Sequence, residues 1–339
     1  MWNLIGNEQA VSLIFKSFTR GVLSHAYLLS GPPKVGKMTL AVNIAQLLKC
    51  ERFSVEGPCG ECSSCSRILS DNHPDVQIIS ERPEAKYIGI QDLIDIQRNA
   101  ILKSFEGGYR IFIFPEAGLL TPDASNTLLK LLEEPPDEVL FLLVTNQKAR
   151  IHSTIVSRCQ VIELGHLPSA LIEKTIHPLL DGNTRRANEL ARLSGGRIGW
   201  ALEAATNPNV LDDYKSDIEF IEFTMNGNLE ERFEYAAKIS NLYLDNREKA
   251  INHLNILMNW WRDLMVVKNG LEEYISNIFS KDVLEKYSRW FSHQEVIGVI
   301  KQIEDTLDCL QENVNPRLVL ESLVLAIPRT RSTLNGRCK

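Results

Sequence analysis

Two stretches of this chain hold residues whose types and spacing can do chemistry. In the first, residues 31–37 read GPPKVGK, with four residues between Gly31 and Gly36 and with Lys37 directly after. In a G-x-x-x-x-G-K turn, backbone N–H groups and the lysine ammonium point at phosphate oxygens. The full pattern continues with Ser or Thr, whose hydroxyl ligates Mg²⁺. Here the next residue is Met38, and a thioether is a poor partner for a hard cation. Thr39 comes one position late, and on a helix it points roughly 100° away from that place. The stretch has the shape of a nucleotide site and lacks part of its chemistry.

The second stretch places Cys50, Cys59, Cys62 and Cys65 in the spacing C-x8-C-x2-C-x2-C. Four thiolates close a tetrahedral zinc site, and Gly57-Pro58 and Gly60 supply the tight turns that bring short-range ligands round one ion. Sulfur at every ligand position leaves no open coordination site, so the expected role is structural; the alternative is a set of free thiols. His73 is near enough to compete as a ligand, but His73-Pro74-Asp75 reads better as the lead into a strand. Cys159, Cys309 and Cys338 show no ligand spacing.

Strands and helices must position these groups. An apolar run over 26–29 precedes the glycine turn, and helical apolar spacing follows from Leu40, so the turn joins a strand to a helix. Before it, Val11, Ile14, Phe15 and Phe18 mark an amphipathic helix within 2–20. Beyond the cysteines, a strand over 76–80 leads to a helix over 90–102 with Ile90, Leu93, Ile94, Gln97 and Ile101 on one face. Residues 109–114, YRIFIF, read as a strand buried on both faces. Thr121-Pro122 opens a helix as N-cap and first helical residue. A strand over 139–144 ends at Thr145-Asn146, and Ser157-Arg158-Cys159 precede a fifth strand over 160–164. Strands alternating with helices predict a doubly wound α/β domain with a parallel sheet.

The end of YRIFIF is the second place where Mg²⁺ chemistry is tested. A phosphate-loop ATPase carries Asp-Glu there, the first acid orienting Mg²⁺ and the second polarising water. This chain has Pro115-Glu116, with Glu116 either in that second role or simply a solvated charge. Met38 and Pro115 are two independent losses on one ion, and together they predict no ATP hydrolysis at this site.

The whole chain has 339 residues, 44% hydrophobic and 24% charged, with room for two or three domains. A net charge of -6 and a pI near 5.7 argue against an electrostatic nucleic-acid clamp. There is no apolar run of membrane-spanning length and no signal-peptide form at the N-terminus, which predicts a cytoplasmic protein without a membrane partner.

The strings HAYLLSGPPKVGK, the cysteine module, NTLLKLLEEPP, the strand ending in Thr145-Asn146 and TIVSRCQ stand in the order found in bacterial clamp-loader subunits of the AAA+ class. The chain resembles that family over essentially its full length, to NVNPRLVLESLVLAI near the end, and most resembles its delta-prime type. The resemblance implies that Gly31, Gly36 and Lys37 form Walker A, that Glu116 sits in the Walker B position and that Thr145-Asn146 are sensor 1. It also implies that Arg158 projects into the ATP site of a neighbouring subunit. An always-charged planar fork suits that task, and the alternative for Arg158 is a surface ion pair. Arg197, after Gly195-Gly196, falls near sensor 2 or is a surface arginine at a helix start.

The implied architecture is an α/β AAA+ P-loop domain over 1–166 with the zinc module at 50–65, a small helical lid over 167–207 and an all-α collar over 208–339. Stripes through Ile251, Leu254, Leu257 or Met258, Trp261 and Leu264, and through Val296, Val299, Ile303, Leu307 and Leu310, support the helical reading of the last part. Trp260-Trp261 read as packing, not as a base-stacking platform. The implied partners are gamma/tau motor subunits and a delta subunit in a hetero-oligomeric ring, with the sliding clamp and primer-template DNA reached through the complex. Zinc is the implied cofactor; occupancy of residues 31–37 by ATP and Mg²⁺ is left open. Two readings compete: an ATP-hydrolysing gamma/tau-type motor, and a zinc-bearing DNA-binding module.

Overall fold

The computed structural model describes residues 2–80, 87–310 and 314–328. Cys338 lies outside the described residues. The chain divides into two compact units, one within Met1–Ile172 and Gly196–Trp200, the other within Glu173–Gly195 and Ala201–Lys339.

In the first unit five strands, β1 (Ala26–Ser30), β2 (Val76–Ile78), β3 (Arg110–Phe114), β4 (Val139–Thr145) and β5 (Gln160–Glu163), form one sheet in the order β2-β3-β4-β1-β5. Every pairing is parallel. All residues of β1, β3 and β4 are buried, which explains why these segments read as unbroken apolar runs. Alternate residues feed two cores. Tyr27, Leu29, Ile111, Ile113, Leu140 and Leu142 face α1 (Glu8–Thr19), α2 (Lys37–Lys49) and α3 (Ser63–Leu69). Leu28, Phe112, Phe114, Phe141 and Leu143 face α4 (Ile90–Ile101), α5 (Pro122–Glu133) and α6 (Ser153–Val156). The parallel α/β domain read from the sequence is the one observed.

Two local expectations change. The strand expected over 76–80 stops at Ile78. On α4 the buried residues are Leu93, Ile96 and Ala100, while Ile90 and Ile101 are 46% and 73% exposed. The helix docks through a narrow stripe in which small Ala100 permits close approach, and its two ends carry their isoleucines away from the core. Elsewhere local chemistry acts as expected: Thr121 Oγ1 accepts the Ala124 N–H at 3.2 Å and Pro122 occupies the first turn of α5.

The remaining helices are α7 (Ser169–Ile176), α8 (Thr184–Leu193), α9 (Ile198–Thr206), α10 (Pro208–Asn226), α11 (Leu229–Asp245), α12 (Arg247–Lys268), α13 (Lys281–Ser288), α14 (His293–Cys309) and α15 (Pro316–Ala326). In the second unit α12 is central and packs against α10, α11, α13 and α14. Trp260 and Trp261 are fully buried, their rings edge to face at 5.7 Å, with Tyr287 and Phe291 around them. Both indoles are core residues. Among the described residues no helix is long and apolar enough to cross a membrane.

Candidate functional site

The glycine turn leaves the carboxyl end of β1, where open α/β sheets place their ligands. Gly31 has φ 147°, and a Cβ there would lie 2.1 Å from the Leu164 carbonyl oxygen, so the turn admits only glycine at this position. Gly36, at φ 101°, caps α2. The apex is held from α9, whose Gly199 N–H donates to the Lys34 carbonyl at 2.8 Å.

Lys37 is 5% exposed, and its ammonium donates to Gly31 O at 2.7 Å, to Pro32 O and to Asn146 Oδ1 at 2.8 Å. An ammonium has three N–H groups, and all three are engaged. Asn146 Nδ2 in turn donates to Glu116 Oε2 at 2.9 Å, and Thr145 Oγ1 reaches Glu116 Oε1 at 3.5 Å. The residues following β1, β3 and β4 are thereby joined in one chain, Lys37–Asn146–Glu116. Burial lowers the Lys37 ammonium to about 8, with the Glu116 carboxylate pulling it back up. Burial raises the Glu116 carboxyl above the usual range against the pull of Lys37 and Arg150.

The Mg²⁺ positions do not match this order. Met38 packs its side chain against the apolar core, Thr39 is exposed, and Pro115 offers no side-chain oxygen. These residues do not fit a Mg²⁺ ion, and no hydrolytic step is derived through one.

Arg158, between α6 and β5, donates from Nη1 to Thr154 O at 2.9 Å and from Nη2 to Glu133 Oε1 at 2.7 Å. Its side chain stays 34% exposed. The ion pair foreseen as its alternative role is therefore present, on a side chain about one-third exposed. Of the two places left open for Arg197, the surface one is not observed: the residue is 7% exposed, and Gly196 just before it accepts the Leu167 N–H at 2.9 Å.

The four cysteines form the other site. Their Sγ atoms all lie within 4.8 Å of one another, against about 3.8 Å between sulfurs around a tetrahedral zinc with Zn–S near 2.3 Å. Backbone N–H groups already point at sulfur: Cys59 N to Cys50 Sγ at 3.2 Å, Arg52 N to Cys50 Sγ at 3.4 Å and Cys62 N to Cys59 Sγ at 3.3 Å. The N–H groups of Glu61 and Cys62 lower the Cys59 thiol to about 6, while burial raises Cys50 and Cys65. Four soft donors in reach of one point fit a metal ion. His73 is not among them, since its ring accepts the Asp75 N–H at 3.1 Å and faces Glu106 at 3.2 Å.

Several supporting residues were not legible in the sequence. Lys49, beside Cys50, pairs with buried Asp75 at 2.9 Å, and Asp75 also accepts the N–H groups of Phe105 at 2.6 Å and Glu106 at 3.0 Å. Arg67, two residues after Cys65, forms a fork on Glu106 at 2.6 and 2.8 Å. These partners lie 26 to 39 residues apart, beyond any local pattern. Glu133 did leave a trace: an acid in the last turn of a helix opposes the helix dipole and calls for a nearby cation.

The family described as DNA polymerase III, delta subunit, matches residues 6–168, the span that holds both sites. The delta' subunit of DNA polymerase III from Bacillus subtilis is 26% identical over 322 residues, covering 94% of this chain and 95% of that one. The delta' subunit from Pseudomonas aeruginosa is 35% identical over 175 residues, 51% of this chain and 53% of that one. The chain is thus similar to DNA polymerase III subunits of the delta' type, by the family match over residues 6–168 and by these two relatives. It is also similar to the tau subunit of Bacillus subtilis, 25% identical over 349 residues, but spans only 61% of that subunit's length.

Proposed function

We propose that this chain is the delta-prime-type member of a clamp loader, a largely non-hydrolysing subunit of a hetero-oligomeric ring with gamma/tau motor subunits and a delta subunit. The ring uses ATP held by the motor subunits to place a sliding clamp on primed DNA. The observation that carries this reading is the retention of Lys37, Asn146 and Glu116 in one hydrogen-bonded chain while the Mg²⁺ positions hold Met38 and Pro115. A motor needs both sets. This chain contributes outward instead, Arg158 entering a neighbour's ATP site, where a fixed cation stabilises charge on the transferring phosphoryl group. Cys50, Cys59, Cys62 and Cys65 hold a structural zinc ion. We also propose that residues 167–207 act as the lid and 208–339 as the collar through which the ring assembles, apolar helix faces making heterologous contacts.

The test is ATP turnover by the purified chain alone and after reconstitution with motor subunits. The expected result is no turnover alone and an assembly-dependent rate that falls by about 10³-fold with Arg158→Ala. The match to tau along 97% of this chain favours one alternative, a gamma/tau-type motor. Turnover by the isolated chain that disappears with Lys37→Ala would establish it.

A further inference from the structure

Glu133 is the last residue of α5, followed by Glu134 and then Pro135-Pro136, which end the helix. An acid there sits at the negative end of the helix dipole and is unfavourable unless a cation offsets it. The cation it meets is Arg158, at 2.7 Å. The pair is half exposed, 34% for the arginine side chain and 51% for the glutamate, so it adds little to the stability of the fold. Its effect falls on where the guanidinium points.

We infer that Glu133 is a positioning residue for Arg158, setting the orientation in which the arginine is presented to a neighbouring subunit. This rests on the proposal that Arg158 acts in trans. An arginine on a surface samples many rotamers and loses that freedom on engagement; one already pinned loses less. Arg158 is pinned at both Nη atoms: Thr154 O, in α6, takes Nη1, and Glu133 Oε1, from a different helix, takes Nη2. The backbone acceptor fixes where the guanidinium sits, and the carboxylate fixes its rotation about the last torsions. Each acceptor takes a single N–H, so three of the five remain for a phosphate. A fork-on-fork pair would have taken a whole edge. A charge misplaced by about 1 Å costs a large part of its catalytic effect, which makes such a brace worth its unfavourable helix position.

The experiment compares the ATPase of the reconstituted hetero-oligomer carrying Glu133→Ala, Glu133→Gln, Arg158→Ala or both alanine changes. Expected is a fall in kcat of about fivefold for Glu133→Ala, with KM, assembly and melting temperature unchanged. Glu133→Gln, whose amide oxygen still accepts the Nη2 N–H, should keep most of the rate. The double variant should be no slower than Arg158→Ala alone, because the brace has nothing left to hold. Full additivity of the two changes, a normal rate in Glu133→Ala beside a slow Arg158→Ala, or a faster rate in Glu133→Ala would each overturn the positioning role and leave the finger standing. An unchanged rate in Arg158→Ala overturns the finger, and this inference with it.

Discussion

The cysteine cluster and the phosphate loop lie in the same unit, yet one has its full ligand set and the other only its frame. Around the cysteines every donor is present, all four sulfurs within 4.8 Å of one another, and backbone N–H groups already favour thiolate. Around the loop the glycines, the lysine and the strand-end partners keep their places while Met38 and Pro115 stand where Mg²⁺ ligands belong. The difference teaches that loop geometry is a structural property separable from catalysis. Lys37 joins the turn to Asn146 at the end of β4 and, through Asn146, to Glu116 after β3, so its contacts are made whether or not a phosphate is bound. The cysteines would hold their local segment together by sharing an ion, the role proposed for them.

If that contrast is right, removing the ion has the largest effect. Stripping metal with a chelator, or changing Cys65→Ser, should cost more than about 4 kcal/mol of stability, because a structural site contributes its binding energy to folding. Metal content and denaturant melts measure it. Hydrogen exchange adds a sharper readout, since Lys49 and Arg67, next to Cys50 and Cys65, hold Asp75 and Glu106 and through them the backbone at Phe105 and Glu106. Those amides should lose protection when metal leaves. Unchanged stability and protection in the metal-free chain would reduce the cluster to free thiols and dissolve the comparison.

Lys37 gives the next largest effect. Its folded-state value, about 8, lies below the ordinary 10.5. Between these two values the unfolded chain binds a proton that the folded chain has released, so stability rises with pH across the window. Below pH 8 the full cost of burying the charge is present; above 10.5 it is gone. The gain should be on the order of 3 kcal/mol, read as the pH slope of unfolding that Lys37→Met lacks. Equal slopes in both proteins would mean that the Gly31, Pro32 and Asn146 acceptors fully repay the desolvation of the ammonium.

How much of this was legible in the sequence follows the same division. The four cysteines sit within 16 consecutive residues, 50–65, and their spacing alone marked them as one cluster, which the structure brings together. The glycine turn, the central strands and the capped start of α5 were equally local and equally readable. What was not readable depends on distance along the chain: Lys37 meeting Asn146 across 109 residues and Lys49 meeting Asp75 across 26, while for Arg158 an ion pair was foreseen without its partner, Glu133, 25 residues away. On α4 the periodicity was right but the face was not, because the apolar stripe there is wider than the surface it docks on, and Ile90 and Ile101 lie beyond it. For Arg197 the sequence left two places open, and only its burial, 7% exposed, removes the surface one.

The smallest effect tests the comparison from the other side, by completing the loop. If Met38 and Pro115 are the missing parts, Met38→Ser and Pro115→Asp together should raise nucleotide affinity about tenfold in the presence of Mg²⁺ and leave it unchanged in EDTA, measured by fluorescent-nucleotide titration. Each single change should give much less, because one ligand leaves the ion held from one side. The gain is modest for a reason visible in the structure. Lys37 already spends its three donors on Gly31, Pro32 and Asn146, and a phosphate must displace at least one of them before the lysine can serve it. A double variant with no Mg²⁺-dependent gain would place the block in that closed lysine instead of in the two substitutions. Asn146→Ala in the same background, which removes the acceptor at 2.8 Å and frees one N–H, would then be the change that restores binding.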